Sequence, residues 1–128
     1  MGKGFNLFKS FVSLVIGFIC SKLGGYDVLL QAILTLIVID YITGFLKGIN
    51  KKELNSQIGF IGIIKKVMVL FVIATSVVDR KSVEVDTPLR EITIMFFIVN
   101  ESLSILENAG TFLPIPEKLK NVLLQLKE

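Results

Sequence analysis

The chain has 128 residues, 52% of them apolar and only 20% charged, with 14 Lys and Arg against 11 Asp and Glu for a net charge of +3. About a quarter of the residues of an ordinary soluble domain are charged, and this length leaves no room for a second domain, so residues 1–128 read as one membrane-embedded unit. With no His, no Trp and a single Cys, the common metal sites, a Cys/His nucleophile pair and an intrachain disulfide framework are excluded, and neither a catalytic residue nor a cofactor is expected.

The apolar residues gather into four blocks, 5–23, 27–46, 58–78 and 89–109, each near the ~20 residues that a helix needs to cross a bilayer. The expected fold is all-α: an integral membrane protein of about four transmembrane helices, the fourth crossing undecided, with a short C-terminal amphipathic helix. The cations stand mainly at block ends, where lysine snorkels toward anionic head groups. No compact basic run with interleaved aromatics occurs, so the positive surplus points to anionic lipid and away from nucleic acid.

In the first block Ser13, Gly17 and Ser21 recur every four residues. Such a stripe of small residues suits close helix contact, within the chain or between copies. A basic start followed by Phe11 to Ile19 has the outline of a signal peptide, but no cleavage site of small residues follows, so the segment reads as a retained membrane helix. Lys22 to Asp27, containing Gly24-Gly25, is a tight turn between antiparallel helices.

The second block, Val28 to Leu46, carries Asp40. An acid at mid-membrane costs about 2.5–3.5 kcal/mol on insertion scales. Asp40 lies ~9 Å of helix from Leu46, off centre, where the cost is smaller. Lys47 to Gln57 is a polar connection in which Asn55 and Ser56 are N-cap candidates. Lys65-Lys66 interrupts the third block. Either Ile58 to Ile64 lies in the interface, or the whole stretch crosses with its lysines turned toward protein or water. On antiparallel helices joined by this connection, Asp40 and the two lysines sit within ~5 Å of the same depth. That permits an ion pair from Asp40 to Lys65 or Lys66, offsetting part of both desolvation costs. Thr43, Gly44, Gly59 and Gly62 are expected to let the helices approach.

Asp79-Arg80-Lys81 closes the third block sharply, Asp79 to Asp86 is a charged connection, and Thr87-Pro88 reads as an N-cap followed by a first-turn proline. In the fourth block Glu101 and Ser104, then Glu107 or Asn108, fall on one side, opposite much of the Leu103 and Leu106 surface. Such a helix lies on the membrane or crosses it with the polar side inside an assembly. Gly110, Pro114 and Pro116 end it, and Leu119, Val122, Leu123 and Leu126 mark an amphipathic helix over Glu117 to Lys127. Four crossings with an inside N-terminus place Lys3, Lys9, Lys47, Lys51, Lys52, Lys118, Lys120 and Lys127 in the cytoplasm, against Lys22, Arg80, Lys81 and Arg90 outside. This asymmetry favours both termini in the cytoplasm. Intramembrane charges also suit a small transporter or ion channel, with Asp40, Lys65, Lys66 and Glu101 as coupling or selectivity residues.

The polar punctuation carries a family resemblance. Asp40-Tyr41-Ile42-Thr43-Gly44, Asn55-Ser56 with Gly59-x-x-Gly62 and Lys65-Lys66, Val78-Asp79, and Glu101-Ser102-Leu103-Ser104-Ile105-Leu106-Glu107-Asn108 followed by Pro114-Ile115-Pro116 together resemble the toxin-secretion and phage-lysis holins (holin family 4) of Gram-positive bacteria and their phages. The resemblance runs from Val38 to Leu126, and its last segment is the most specific. Where such proteins often carry leucine-glycine before the P-x-P element, this chain has Thr111-Phe112-Leu113. The resemblance implies a holin that accumulates in the bacterial cytoplasmic membrane, forms homo-oligomers, and opens lesions through which an endolysin or a toxin leaves the cell. An antiholin that restrains a holin is the related alternative. A polar face with Glu101, Glu107 and Asn108 is costly in hydrocarbon, so copies are expected to bury those faces against one another or around water.

Overall fold

A computed structural model describes residues 2–83 and 86–127, the last of these as backbone only. Residues 84 and 85 of the expected charged connection, and the side chain of Lys127, lie outside the described ones. The described residues form five helices: α1 Gly2–Lys22, α2 Val28–Lys51, α3 Ser56–Val83, α4 Leu89–Ala109 and α5 Glu117–Lys127. By length and composition α1, α2 and α3 are fit to cross a membrane.

The helix ends follow from local chemistry and correct three expectations. Asp27 caps α2, its Oδ1 accepting from the Leu30 amide at 3.0 Å, which satisfies one of the amides every helix start leaves open. At α3 the cap is Asn55, whose Oδ1 accepts from the Ile58 amide at 2.8 Å; Ser56 is the first helical residue. Asp79-Arg80-Lys81 ends the apolar block but not the helix, which continues to Val83. Nothing in that triplet breaks a helix, and its basic members suit the negative end of the dipole. Pro88 itself stands at the N-cap of α4 without a side-chain cap bond, while Thr87 contributes its carbonyl, not its hydroxyl, to the Leu89 amide at 2.8 Å.

α4 is the central element. It packs along α2, against α3 and against α5, whereas α2 and α3 touch over a short stretch. Leu30, Ile33 and Ile37 line one side of α2 and meet Ile73 of α3, Ile94 of α4 and Leu23 of the first turn in a small core. Most of the other large apolar side chains of α1, α2 and α3 point outward, as expected where lipid is the solvent and apolar burial supplies little drive between helices.

α1 has no buried residue. The stripe of Ser13, Gly17 and Ser21 is exposed, and Gly17 and Ser21 border an open cleft of about 1060 Å³ shared with the ends of α3 and α4. Among the described residues the stripe makes no close helix contact within the chain.

The α1–α2 turn places Gly24 at φ +93° and Gly25 at φ +107°, a region costly to residues with a Cβ. At Gly24 an added Cβ would also strike the Arg90 side chain, whereas at Gly25 the space is open. Gly24→Ala is therefore expected to destabilise the protein well beyond Gly25→Ala, which adds only backbone strain of about 1–3 kcal/mol. Unfolding of the two reconstituted variants side by side checks this; equal losses would contradict it.

Candidate functional site

Two side-chain clusters hold α4 in place, one at each end. The first lies at the depth where the sequence places an acid and two lysines. Lys66 of α3 donates to Asp40 Oδ2 and, at 2.7 Å, to Glu101 Oε2 of α4. One ammonium thus joins two carboxylates from two other helices. Asn108, two turns along α4 from Glu101, donates through Nδ2 to Asp40 Oδ1 at 3.0 Å, to the Asp40 carbonyl at 3.3 Å and to Thr43 Oγ1 at 3.0 Å. Thr43 in turn donates to the Ile39 carbonyl at 2.8 Å. Asp40, Glu101 and Asn108 are 5%, 4% and 8% exposed, so the cluster is interior and hydrogen-bonded, the condition under which buried charge is tolerated.

Glu101, Ser104 and Asn108 follow one another at i, i+3 and i+7, which puts them on one side of α4. Ser104 borders a cavity of about 240 Å³ with Asp40, Lys66 and Asn108, and this cavity extends to Leu54 in the α2–α3 connection. The structure does not gather every candidate there. Lys65 is exposed, since one residue along a helix turns the side chain by ~100°, and Lys66 is the one that faces inward. Glu107 is exposed for the same reason, with Asn108 inward. Asp79 lies near the other end of α3, on its surface.

Glu101 and Asn108, expected to be buried against other copies or around water, already find partners within one chain in Lys66, Asp40 and Thr43. Gly59 and Gly62 face the Tyr41 ring, and Gly44 faces Asn108. A Cβ at each would sit 3.6 Å from the nearest atom, an ordinary contact, so packing within the chain does not demand glycine at these positions.

The second cluster escaped the sequence reading, which treats Arg90 only as an orientation signal. Arg90, 5% exposed, donates from Nε to the Leu23 carbonyl at 2.6 Å, from one terminal nitrogen to Asp27 Oδ2 at 2.8 Å, and from the other to Asp27 Oδ1 and the Gly25 carbonyl, both at 3.0 Å. Its planar fork suits paired acceptors. More than sixty residues separate Arg90 from these partners, so no local spacing reveals them.

The Arg90 guanidinium holds the Asp27 carboxyl down to about 2, from an ordinary value of 3.8, with the Leu30 amide assisting. A depressed acid contributes stability that is complete above its unfolded pKa and is lost as pH falls through the folded one. The α1–α2 turn is therefore expected to stay protected against amide exchange down to about pH 4 and to loosen progressively between about 4 and 2. Asp27→Asn should flatten that dependence, and an unchanged acid profile would contradict the assignment.

These clusters fix the direction of α4. Arg90 in its first turn meets the start of α2, and Asn108 in its last turn meets Asp40 and Thr43, so α4 runs parallel to α2 over the ~24 Å of helix from Asp27 to Thr43. α3 runs back antiparallel to both, its Gly59 and Gly62 against Tyr41 and its Lys66 against Asp40.

Described residues that form only helices and their connections, with three candidate spans and a charged cluster among helices of membrane length, make this a multi-pass membrane protein. Residues 17–128 match the bacteriophage holin family, and the chain belongs to it. A "probable holin" of Bacillus phage phi105 is 34% identical over 79 residues, covering 62% of this chain and 58% of that one. The "uncharacterized 14.9 kDa protein in nagH 3'region" of Clostridium perfringens is 43% identical over 105 residues, 80% of each chain. A Halalkalibacterium halodurans protein, BH0965, is 37% identical over 110 residues, 81% of this chain and 82% of its own. No solved structure matches.

Proposed function

We propose that this chain is a pore-forming holin, which accumulates in the bacterial cytoplasmic membrane, oligomerises there and opens lesions that release an endolysin or a toxin. Family membership supports the class. The observation that carries the reading furthest is the placement of α4, the least apolar of the long helices, with its polar side latched inside the bundle by Lys66 and Asp40.

Because α4 lies parallel to α2 along most of its length, α4 shares the depth of α2 and forms the fourth crossing. Its 21 residues span ~31 Å, matching a hydrocarbon core of ~30 Å. Four crossings with the N-terminus in the cytoplasm put the α2–α3 connection and α5 on the cytoplasmic side, where the lysine surplus belongs.

A latched α4 is compatible with lipid on all sides of the bundle, so a dilute copy is stable alone. Unlatching into lipid would strand charged groups in hydrocarbon. Unlatching into water costs far less, since a hydrogen bond to a charged group exchanged for water changes stability by only about 1.5–3 kcal/mol. Copies crowded enough to enclose water can therefore present Glu101, Ser104 and Asn108 to a lumen, and the exposed stripe of α1 offers a contact between copies. Crowding then sets the moment of opening by mass action.

Expression of the full chain in a bacterial host with a cytoplasmic endolysin is expected to give abrupt lysis, and expression without the endolysin a halt in growth without clearing. Absence of lysis, combined with delayed lysis by an infecting phage, would instead make the protein an antiholin.

A further inference from the structure

Where α2, α4 and α5 come together, the structure leaves a recess of about 700 Å³. Lys47 and Lys51 from the last turns of α2 and Lys120 from α5 line it, with Glu107 and Glu117 opposite them in charge. Leu106, Leu113 and Ile115 supply an apolar wall. Among the described residues none of the three lysines takes part in an ion pair, although three other cations, Lys66, Arg80 and Arg90, do. The recess therefore holds unspent positive charge.

We infer that this recess is a binding site for the head group of one anionic phospholipid of the phosphatidylglycerol type. The inference rests on the membrane placement proposed above, in which this end of the bundle meets the cytoplasmic leaflet. Three features select that ligand. First, Lys47 and Lys51 stand where α2 leaves its apolar stretch, at the level of lipid phosphates, and α5 packs on α4 at the same end. Second, three ammonium groups against two carboxylates leave one positive charge in surplus, matched by one phosphodiester. The first turn of α5, which begins at Glu117, adds open amides and the positive end of a helix dipole on the same side. Third, the lining is mixed. A free phosphate ion has no use for the Leu106, Leu113 and Ile115 wall, whereas a lipid lays its glycerol and upper acyl chain there, and the hydroxyls of a glycerol head group are donors for Glu107 and Glu117.

The site would couple α5 to α2 and α4 through a shared lipid. A lysine–phosphate contact near a membrane surface is worth enough that losing two should weaken retention roughly tenfold to thirtyfold.

The test uses the full chain in nanodiscs of phosphatidylglycerol mixed with phosphatidylcholine, released into a native mass spectrometer. The wild type is expected to retain phosphatidylglycerol selectively, one lipid per chain. The double variant Lys47→Gln/Lys120→Gln should lose that retention, while Lys3→Gln/Lys9→Gln, the same change of charge on the same side but outside the recess, should keep it. Equal retention of phosphatidylcholine, or retention unchanged in Lys47→Gln/Lys120→Gln, would overturn the site. Displacement of the lipid by inorganic phosphate would overturn the lipid assignment in favour of a plain phosphate site. Cargo release from liposomes measured on the same preparations separates the two readings: release lost with retention intact contradicts pore formation alone, and retention lost with release intact contradicts this site alone.

Discussion

Lys66→Met is expected to destabilise the folded bundle by about 3–5 kcal/mol, the cost of leaving a buried ionic partner uncompensated. The substitution removes the one ammonium that touches both Asp40 and Glu101 and strands two carboxylates that are about nineteen-twentieths buried. Compensation distinguishes an electrostatic latch from simple packing damage. Adding Asp40→Asn and Glu101→Gln to Lys66→Met removes all three charges at similar volume, and replacing a whole buried ionic group by neutral residues is often nearly neutral. The triple variant should therefore recover most of the lost stability. Equilibrium unfolding of reconstituted protein measures both; a triple variant no better than Lys66→Met would show that charge is not the issue. Lys65→Met, on the exposed side of the same turn, should leave stability within about 0.5 kcal/mol of the parent.

The second large effect is expected at Arg90. Arg90→Met removes four hydrogen bonds to Leu23, Gly25 and Asp27 and leaves the Leu23 carbonyl without a partner, while the Gly25 carbonyl keeps the Asp27 amide at 3.2 Å. Hydrogen bonds to charged groups contribute about 1.5–3 kcal/mol each. Because such bonds are not additive and Asp27 is half exposed, a loss of about 3–4 kcal/mol is expected. Arg90→Lys should recover little of it, since an ammonium on a flexible stem cannot bind two carbonyls and both oxygens of one carboxylate in a single plane. Amide exchange should locate the damage in the α1–α2 turn and the first turn of α4, with the Lys66 cluster less affected. Full rescue by Arg90→Lys would contradict the forked geometry.

How much of this was legible in the sequence differs from residue to residue. Asp40 and the Lys65-Lys66 pair are joined by a short connection, so counting rises along two antiparallel helices suffices to match their depths. Counting cannot choose between Lys65 and Lys66, because adjacent residues differ by about a quarter turn and the inward side of α3 is set by its packing on α4. The same limit applies to Glu107 and Asn108. Glu101 was legible as part of a polar side, but its partner was not, since the rotation of α4 relative to α3 is a tertiary outcome.

Arg90 shows the opposite failure. Read by local pattern, a cation just after Pro88 is an orientation marker; its role as a staple depends on a turn more than sixty residues earlier. The small-residue stripe of α1 was legible as a pattern without a partner, and among the described residues none packs on it closely enough to bury it.

The latch also changes how the polar face of α4 drives assembly. If Glu101 and Asn108 lacked partners in a single chain, association would follow at once from the cost of exposing them to lipid. With both satisfied internally, the proposed pore requires association to offer them water instead. This favours a population that stays closed until copies are dense enough to enclose a lumen.

Release from liposomes as protein density rises tests that account most directly, with a small dye and a protein-sized cargo enclosed in the same vesicles. The account predicts that both cargoes stay inside at low density and leave together once a threshold is passed, and that weakening the latch in a folded variant lowers the threshold. Leakage that grows in proportion to density from the outset, or that stays confined to the dye at every density, would contradict it.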